Sequence, residues 1–200
     1  MADALTLLVG LGNPGPDYAG NRHNVGFMAL EAIAKRHGFT SPKSRFGGVT
    51  AEGRIGGRKV IGLKPLTYMN RSGDAVAQAV QFYKVAPGDV IVLYDELDLD
   101  PGRVKVKTGG GAAGHNGIRS IAAAIGPDFV RVRIGIGHPG HKDLVHGYVL
   151  HDFAKGDRSW LEPVLDGIAE EIGLVVEGRP ELFMTKLAAR LPSGAPVKGD

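Results

Sequence analysis

The sequence predicts an α/β sandwich built on a mixed sheet, and three observations carry that prediction. Short apolar runs of strand length alternate with longer segments at helical spacing. Val90–Tyr94 is almost continuously apolar, the mark of a strand covered on both faces. Gly56-Gly57 separates two strand-like runs, a two-residue hairpin signal that adds antiparallel pairing to the sheet.

In chain order, Leu5–Leu11 is an apolar run that stops at glycine and proline, which suits a buried strand. His23–His37 places Val25, Met28, Ala29, Ala32 and Ile33 at helical spacing and ends before Gly38. Val49–Ile55 and Lys59–Leu63 form the arms of the hairpin, and Thr67–Tyr83 reads as a helix with Ala75, Ala79 and Phe82 on one face. After the central strand, Val104–Thr108 alternates apolar and basic residues, so one of its faces is wet. Ile118–Ile125 is a short helix and Val130–Ile136 another strand. Trp160, Val164, Ile168 and Ile172 recur every four residues in an amphipathic helix. Phe183, Leu187 and Leu191 mark a last helix, and residues 192–200 read as a frayed tail. No internal repeat or linker divides the chain, and 200 residues fit one domain, 1–191, at about 150 residues per domain.

Composition narrows the functional classes. Hydrophobic residues at 43% and charged residues at 22% are ordinary for a globular chain. Gly (31) and Pro (12) are abundant but follow no Gly-X-Y period, so they signal tight turns rather than collagen or linker. The absence of cysteine removes thiol catalysis, disulfides and cysteine-based zinc sites. No apolar run is long enough to span a bilayer, and the first eight residues lack a basic signal-peptide region, so a cytoplasmic protein is expected. The net charge of +3 conceals segregation: Lys35–Arg71 carries nine Lys/Arg and one acid, and Arg103–Arg133 six and one. Asp74–Asp100 has six acids against Lys84, and Asp152–Glu181 eight against three bases. Blocks of this kind build a positive face for a polyanion.

Several motifs promise chemistry that their context withholds. Gly10, Gly12 and Gly15 satisfy G-x-G-x-x-G after a strand, but Pro14 and Pro16 keep the third glycine out of a helix. Gly109, Gly111 and Gly114 repeat the spacing in a basic loop, and no G-K-[S/T] follows either loop. His138, His141, His146 and His151 lie close in sequence, yet His138–His141 reads as a turn rather than a helix face presenting metal ligands. Ser72, the best-placed serine, lies inside a helix and outside any G-x-S-x-G.

What remains is a set of amides and acids where strands hand over to loops. Asn13 follows the first strand, Asn70 follows Lys59–Leu63, Asp95 ends the central strand, and Asn116 follows the glycine loop. Ligands of open α/β sheets bind beyond the carboxyl ends of strands, so at least three of these are expected in one crevice. His23 begins the first helix and can face the same crevice. The helix N-terminus favours neutral imidazole, the form a general base needs, whereas Asp95 would raise its pKa while fixing its tautomer. Each residue alone is also an ordinary turn or cap residue; together they read as a hydrolytic site in which amides hold an acyl group and its developing oxyanion. A non-catalytic RNA-binding module and a nicotinamide-dependent oxidoreductase are the rival readings.

Five segments then carry a resemblance: VGLGNPGPDYAGNRHNVGF (Val9–Phe27), KPLTYMNRSG (Lys64–Gly73), DELDLDPG (Asp95–Gly102), KTGGGAAGHNG (Lys107–Gly117) and RVRIGIGHPG (Arg131–Gly140). In unbroken order from Leu5 to Leu191, the chain resembles the bacterial peptidyl-tRNA hydrolase family. The resemblance implies a monomeric three-layer α/β/α sandwich with a mixed, mostly parallel twisted sheet. It implies hydrolysis of the ester between a peptide and the 3′-terminal ribose of tRNA, recycling tRNA from prematurely released peptidyl-tRNA, without metal or cofactor. His23 resembles the base that activates water and Asp95 the acid that orients it. Asn13, Asn70 and Asn116 resemble the asparagines that hold the peptidyl end, the 3′ adenosine and the water, and Tyr18 and Met69 are expected to line the same cleft. Lys107 and Arg133 resemble a clamp on the phosphate at the tRNA 5′ end, with Lys105 nearby. Ala112 departs from the histidine or serine that some relatives carry in the glycine loop. The segment Pro139–Tyr148 and the last helix are candidate gates of the cleft.

Overall fold

The computed structural model describes residues 4–191, so the expected frayed tail, 192–200, lies outside the described residues. Seven strands form one sheet: β1 (Leu5–Gly10), β2 (Lys43–Arg45), β3 (Gly48–Ile55), β4 (Arg58–Pro65), β5 (Val90–Glu96), β6 (Val104–Thr108) and β7 (Val130–Gly135). Their spatial order is β2-β3-β4-β1-β5-β7-β6. The four central strands, β4, β1, β5 and β7, run parallel; β2, β3 and β6 pair antiparallel at the two flanks. Six helices cover the sheet: α1 (Val25–Arg36), α2 (Ser72–Tyr83), α3 (Asn116–Ile125), α4 (Val145–Val149), α5 (Arg158–Val176) and α6 (Pro180–Arg190).

Strand alternation divides the interior into two cores. Leu8, Ile91, Leu93, Val132 and Ile134 face one side and pack with Ile33 of α1, Ile168 of α5 and Phe183 of α6. Leu7, Val9, Val90, Val92 and Tyr94 face the other side and meet Val76 of α2 and Ile118 of α3. This is the expected three-layer sandwich, and β5 is buried along its whole length, as its unbroken apolar run implied. Gly56 and Gly57 both adopt positive φ, 58° and 78°, the conformation that a type I′ hairpin turn demands.

Several boundaries differ from the sequence expectation. Residues Arg22–Asn24 and Met69–Arg71 form single 3-10 turns before α1 and α2, so the helices start later than their apolar spacing suggested. Strand β2 and helix α4 carry no amphipathic signal; β2 is exposed at all three residues and exists because it pairs with β3. The last helix ends at Arg190, with Leu191 already extended.

The feature of the fold that matters most for function is the junction of β1, α1 and β5. A Cβ on Gly26 would lie 2.3 Å from the Leu93 carbonyl oxygen, and one on Gly10 would lie 2.4 Å from the Gly26 carbonyl oxygen. Only glycine permits this approach. It seats the start of α1 directly on the carboxyl ends of β1 and β5, where His23 meets Asp95.

Candidate active site

A cleft of about 570 Å³ opens at the carboxyl ends of the central strands, and His23, Asp95, Asn13, Met69, Asn70 and Asn116 all line it. The crevice expected at the strand ends therefore gathers four separate loops around one imidazole. Tyr18 is not among the lining residues; it is half-buried in the turn after β1.

His23 donates from Nδ1 to Asp95 Oδ2 at 2.8 Å, which leaves Nε2 as the acceptor. Asp95 is 3% exposed at the end of β5, and its second oxygen, Oδ1, receives a further hydrogen bond from His115 Nε2 at 2.8 Å. The tautomer of His115 follows from its cap role: its Nδ1 accepts the Ile118 backbone N–H at 3.2 Å, so the proton resides on Nε2 and points at Asp95. One carboxylate thus aligns two imidazoles whose ring centres are 4.9 Å apart.

Burial alone would push Asp95 up, but its electrostatic attraction to the two imidazoles and the hydrogen bonds that His23 and His115 donate outweigh it and hold the carboxyl well below its usual range. Burial likewise pulls His23 down, yet the Asp95 charge and hydrogen bond together leave it raised above the ordinary 6.5. The carboxylate influence foreseen from sequence outweighs burial at His23. Tyr94, edge-on to His115 at 5.0 Å, is pushed by burial up to about 12 and stays neutral.

Asn13 is fixed from both ends. Its backbone N–H donates to Asn24 Oδ1 and its carbonyl accepts from Asn24 Nδ2, both at 2.9 Å. Its side-chain oxygen accepts the Met69 N–H at 2.8 Å, so its amide nitrogen is the atom left for a ligand. Asn70 and Asn116 are exposed at the rim, the first beside exposed Tyr68 and the second at the start of α3. Ser72 is buried and donates to the Met69 carbonyl, a structural role.

His23, Asp95 and His115 are also the one group among the described residues with ligand atoms close enough for a metal. They fit one poorly. Both carboxylate–imidazole distances are hydrogen-bond lengths, and binding through His115 Nε2 would require its proton to leave or to move to Nδ1, where it would cost the Ile118 cap. Among the clustered histidines, His138 and His146 line the cleft, whereas His141 caps the Asp143 N–H. No G-x-G-x-x-G helix follows β1: Gly15 sits at φ +102° in a turn well before α1.

The basic residues expected to hold phosphate lie outside the cleft, on the β6–β7 ladder. Lys105 stands directly opposite Arg133, and Lys107 opposite Arg131. All four side chains therefore project from the same face of the sheet. Arg133 is partly neutralised by Glu96 at 3.5 Å. His115 and Asn24 escaped the sequence reading. The available signal for His115 was a polar side chain immediately before a helix start and beside Asn116.

The model of the family described as peptidyl-tRNA hydrolase matches residues 7–193. The chain belongs to the peptidyl-tRNA hydrolase family. A peptidyl-tRNA hydrolase of Rhodospirillum rubrum is 59% identical over 93% of this chain and 76% of its own length, and one of Parvibaculum lavamentivorans is 60% identical over 92% and 90%. The crystal structure of peptidyl-tRNA hydrolase from Acinetobacter baumannii superposes with a TM-score of 0.88 at 43% identity, covering 94% of this chain and 97% of that one. Family membership favours the hydrolytic reading of the cleft over the binding-module and oxidoreductase rivals, and the chain is a hydrolase acting on peptidyl-tRNA.

Proposed function

We propose that His23, oriented by Asp95, activates the water that cleaves the ester between the peptidyl carbonyl and the 3′-terminal ribose oxygen of tRNA. The observation that carries this reading is the shared cleft: a histidine with a free Nε2, a buried carboxylate on its Nδ1, and three asparagines around it. Neutral His23 takes a proton at Nε2 as the water oxygen bonds to the carbonyl carbon. The oxyanion that develops is stabilised by an amide donor, for which the free nitrogen of Asn13 is the best-placed candidate. When the carbon–oxygen ester bond breaks, the proton held by His23 passes to the departing ribose oxygen. The peptide leaves as its carboxylic acid and gives its remaining proton to solvent, intact tRNA departs, and His23 returns to its neutral form. The ester is already activated, so no covalent intermediate is required.

Asn13, Asn70 and Asn116 divide the peptidyl end, the 3′ adenosine and the water among them, and Met69 completes the cleft surface around them, with Tyr18 standing outside it in the turn after β1. Lys105, Lys107 and Arg133 take phosphate near the 5′ end of the acceptor stem. Residues 1–191 act as one monomeric catalytic domain in the cytoplasm; among the described residues no helix is long and apolar enough to cross a membrane.

The test is hydrolysis of N-acetylaminoacyl-tRNA without additives by the protein and its His23→Ala variant. General-base catalysis contributes about 10²–10⁴-fold, so turnover should fall by at least about 10²-fold while tRNA affinity is retained. Near-normal turnover by the variant would remove His23 from the reaction.

A further inference from the structure

Among the described residues, Arg131 is the largest side chain wholly withdrawn from solvent, at 0% exposure. Its guanidinium is permanently charged, yet among the described residues no carboxylate pairs with it. Its guanidinium donates to three backbone carbonyls, Nη1 to Gly111 at 2.6 Å and Nη2 to Gly110 at 2.8 Å and Pro127 at 3.1 Å, and the neutral Tyr94 hydroxyl also lies within its reach. The Phe129 ring lies 4.4 Å away, and Nε has no partner. An isolated buried cation is costly, and here its hydrogen bonds go mainly to one loop.

That loop joins β6 to α3 and has little holding it otherwise. Gly109, Gly110, Ala113 and Gly114 all adopt positive φ. Its own backbone ties are few: Gly109 N–H to the Phe129 carbonyl, and His115 N–H to Ala112. Immediately after it come His115, which holds Asp95, and Asn116, which lines the cleft.

We infer that Arg131 is a positioning residue of the active cleft, a brace that holds the Gly110 and Gly111 carbonyls inward and thereby sets where His115 and Asn116 stand. It touches no reacting atom and acts through the loop. A planar fork is needed because three carbonyls are bound at once; a lysine ammonium is a point charge and cannot reproduce that span. The inference rests on the reading of His23 and Asp95 as the catalytic pair, with His115 as the second donor to Asp95.

Arg131→Lys and Arg131→Met in the full chain test it, with hydrolysis of N-acetylaminoacyl-tRNA and amide exchange read on the same samples. Misplacement of about 1 Å costs on the order of 10²-fold, so Arg131→Met should lose about ten- to a hundredfold, mainly in kcat, and Arg131→Lys less. The Gly109, His115 and Ile118 amides should exchange at least about tenfold faster, while those of β1 and β4 keep their protection. The His23 ring titration should also move, because Asp95 loses its second donor; the other titratable groups lining the cleft, Tyr68, Glu96, Asp98, His138, Lys142 and His146, are the same in both variants. Folded variants with unchanged kcat and unchanged loop exchange would overturn the inference, as would a loss of activity no larger than the unfolded fraction. Should Arg131→Met fail to fold, Arg131→Lys and its loop exchange decide the matter. A wild-type-like rate for His23→Ala would sink the catalytic reading instead, and the exchange rates would still report on the brace.

Discussion

His115 Nε2 donates to the Asp95 oxygen that His23 leaves free, at 2.8 Å, so the carboxylate that orients the base is itself held by a second imidazole. This bond disperses the charge on Asp95 and tempers its pull on His23. In His115→Ala that charge is concentrated on His23, whose pKa should rise further. A hydrogen bond to a charged group is worth about 1.5–3 kcal/mol, and a fraction of that reaching His23 moves the midpoint of the pH–rate profile by about half to one unit upward. A midpoint that stays put or moves down would show that His115 serves only as the cap of α3.

The same ion pair has a signature in stability. His23 is raised in the folded state above 6.5, so its contribution is fully present below that pH and disappears as pH rises through the folded value. Asp95 is depressed below 3.8, so its contribution is present above that pH and is lost as pH falls through the folded value. Denaturant melts should therefore show stability decreasing as pH rises above 6.5 more in the wild type than in His23→Gln. Below about pH 4 the wild type should lose more stability than Asp95→Asn. Parallel curves for wild type and variants would contradict the coupling.

Asn24 and Asn13 exchange two buried hydrogen bonds of 2.9 Å, and this pair holds the amide that faces the substrate. Asn24→Ala leaves the Asn13 backbone N–H and carbonyl unpaired, which costs about 1–3 kcal/mol per group. We expect a lower thermal midpoint together with a reduced kcat at temperatures where the variant is folded. A stability loss with kcat intact would confine Asn24 to folding.

Much of this was legible in the sequence, for identifiable reasons. The Val90–Tyr94 run and the Gly56-Gly57 turn are local signals, and local physics decided both. Asn13, Asn70 and Asn116 follow strands and Asp95 lies at the carboxyl end of one, so the general rule for α/β sheets places them in one cleft. His115, Asn24 and Arg131 act through partners distant in sequence, at separations of 20, 11 and about 20 residues, and each looked like an ordinary cap, turn or strand residue. Strand β2 exists through pairing with β3 alone, so no periodicity announces it. The basic face on the β6–β7 ladder was legible as alternation, but the Glu96 partner of Arg133 was not.

That partner has a consequence for tRNA binding. Lys105 and Lys107 form no ion pair among the described residues, whereas Arg133 is shared with Glu96 at 3.5 Å. Each phosphate contact contributes about −0.7 to −0.9 to the slope of log affinity against log salt. Lys105→Ala and Lys107→Ala should each flatten that slope by nearly a full contact, and Arg133→Ala by less. Titrations of tRNA binding across salt concentrations measure this, and identical slopes in all four proteins would reduce the stripe to a solvated face.

The most direct measurement is the single-turnover rate of ester cleavage as a function of pH, in the wild type and in Asp95→Asn. A neutral His23 acting as base requires the rate to climb with pH and level off, with a midpoint above 6.5 in the wild type. In Asp95→Asn the plateau should drop sharply and the midpoint move down, since the charge that raised it has gone. A wild-type rate that falls with rising pH, or a variant with the wild-type profile, would contradict the assignment.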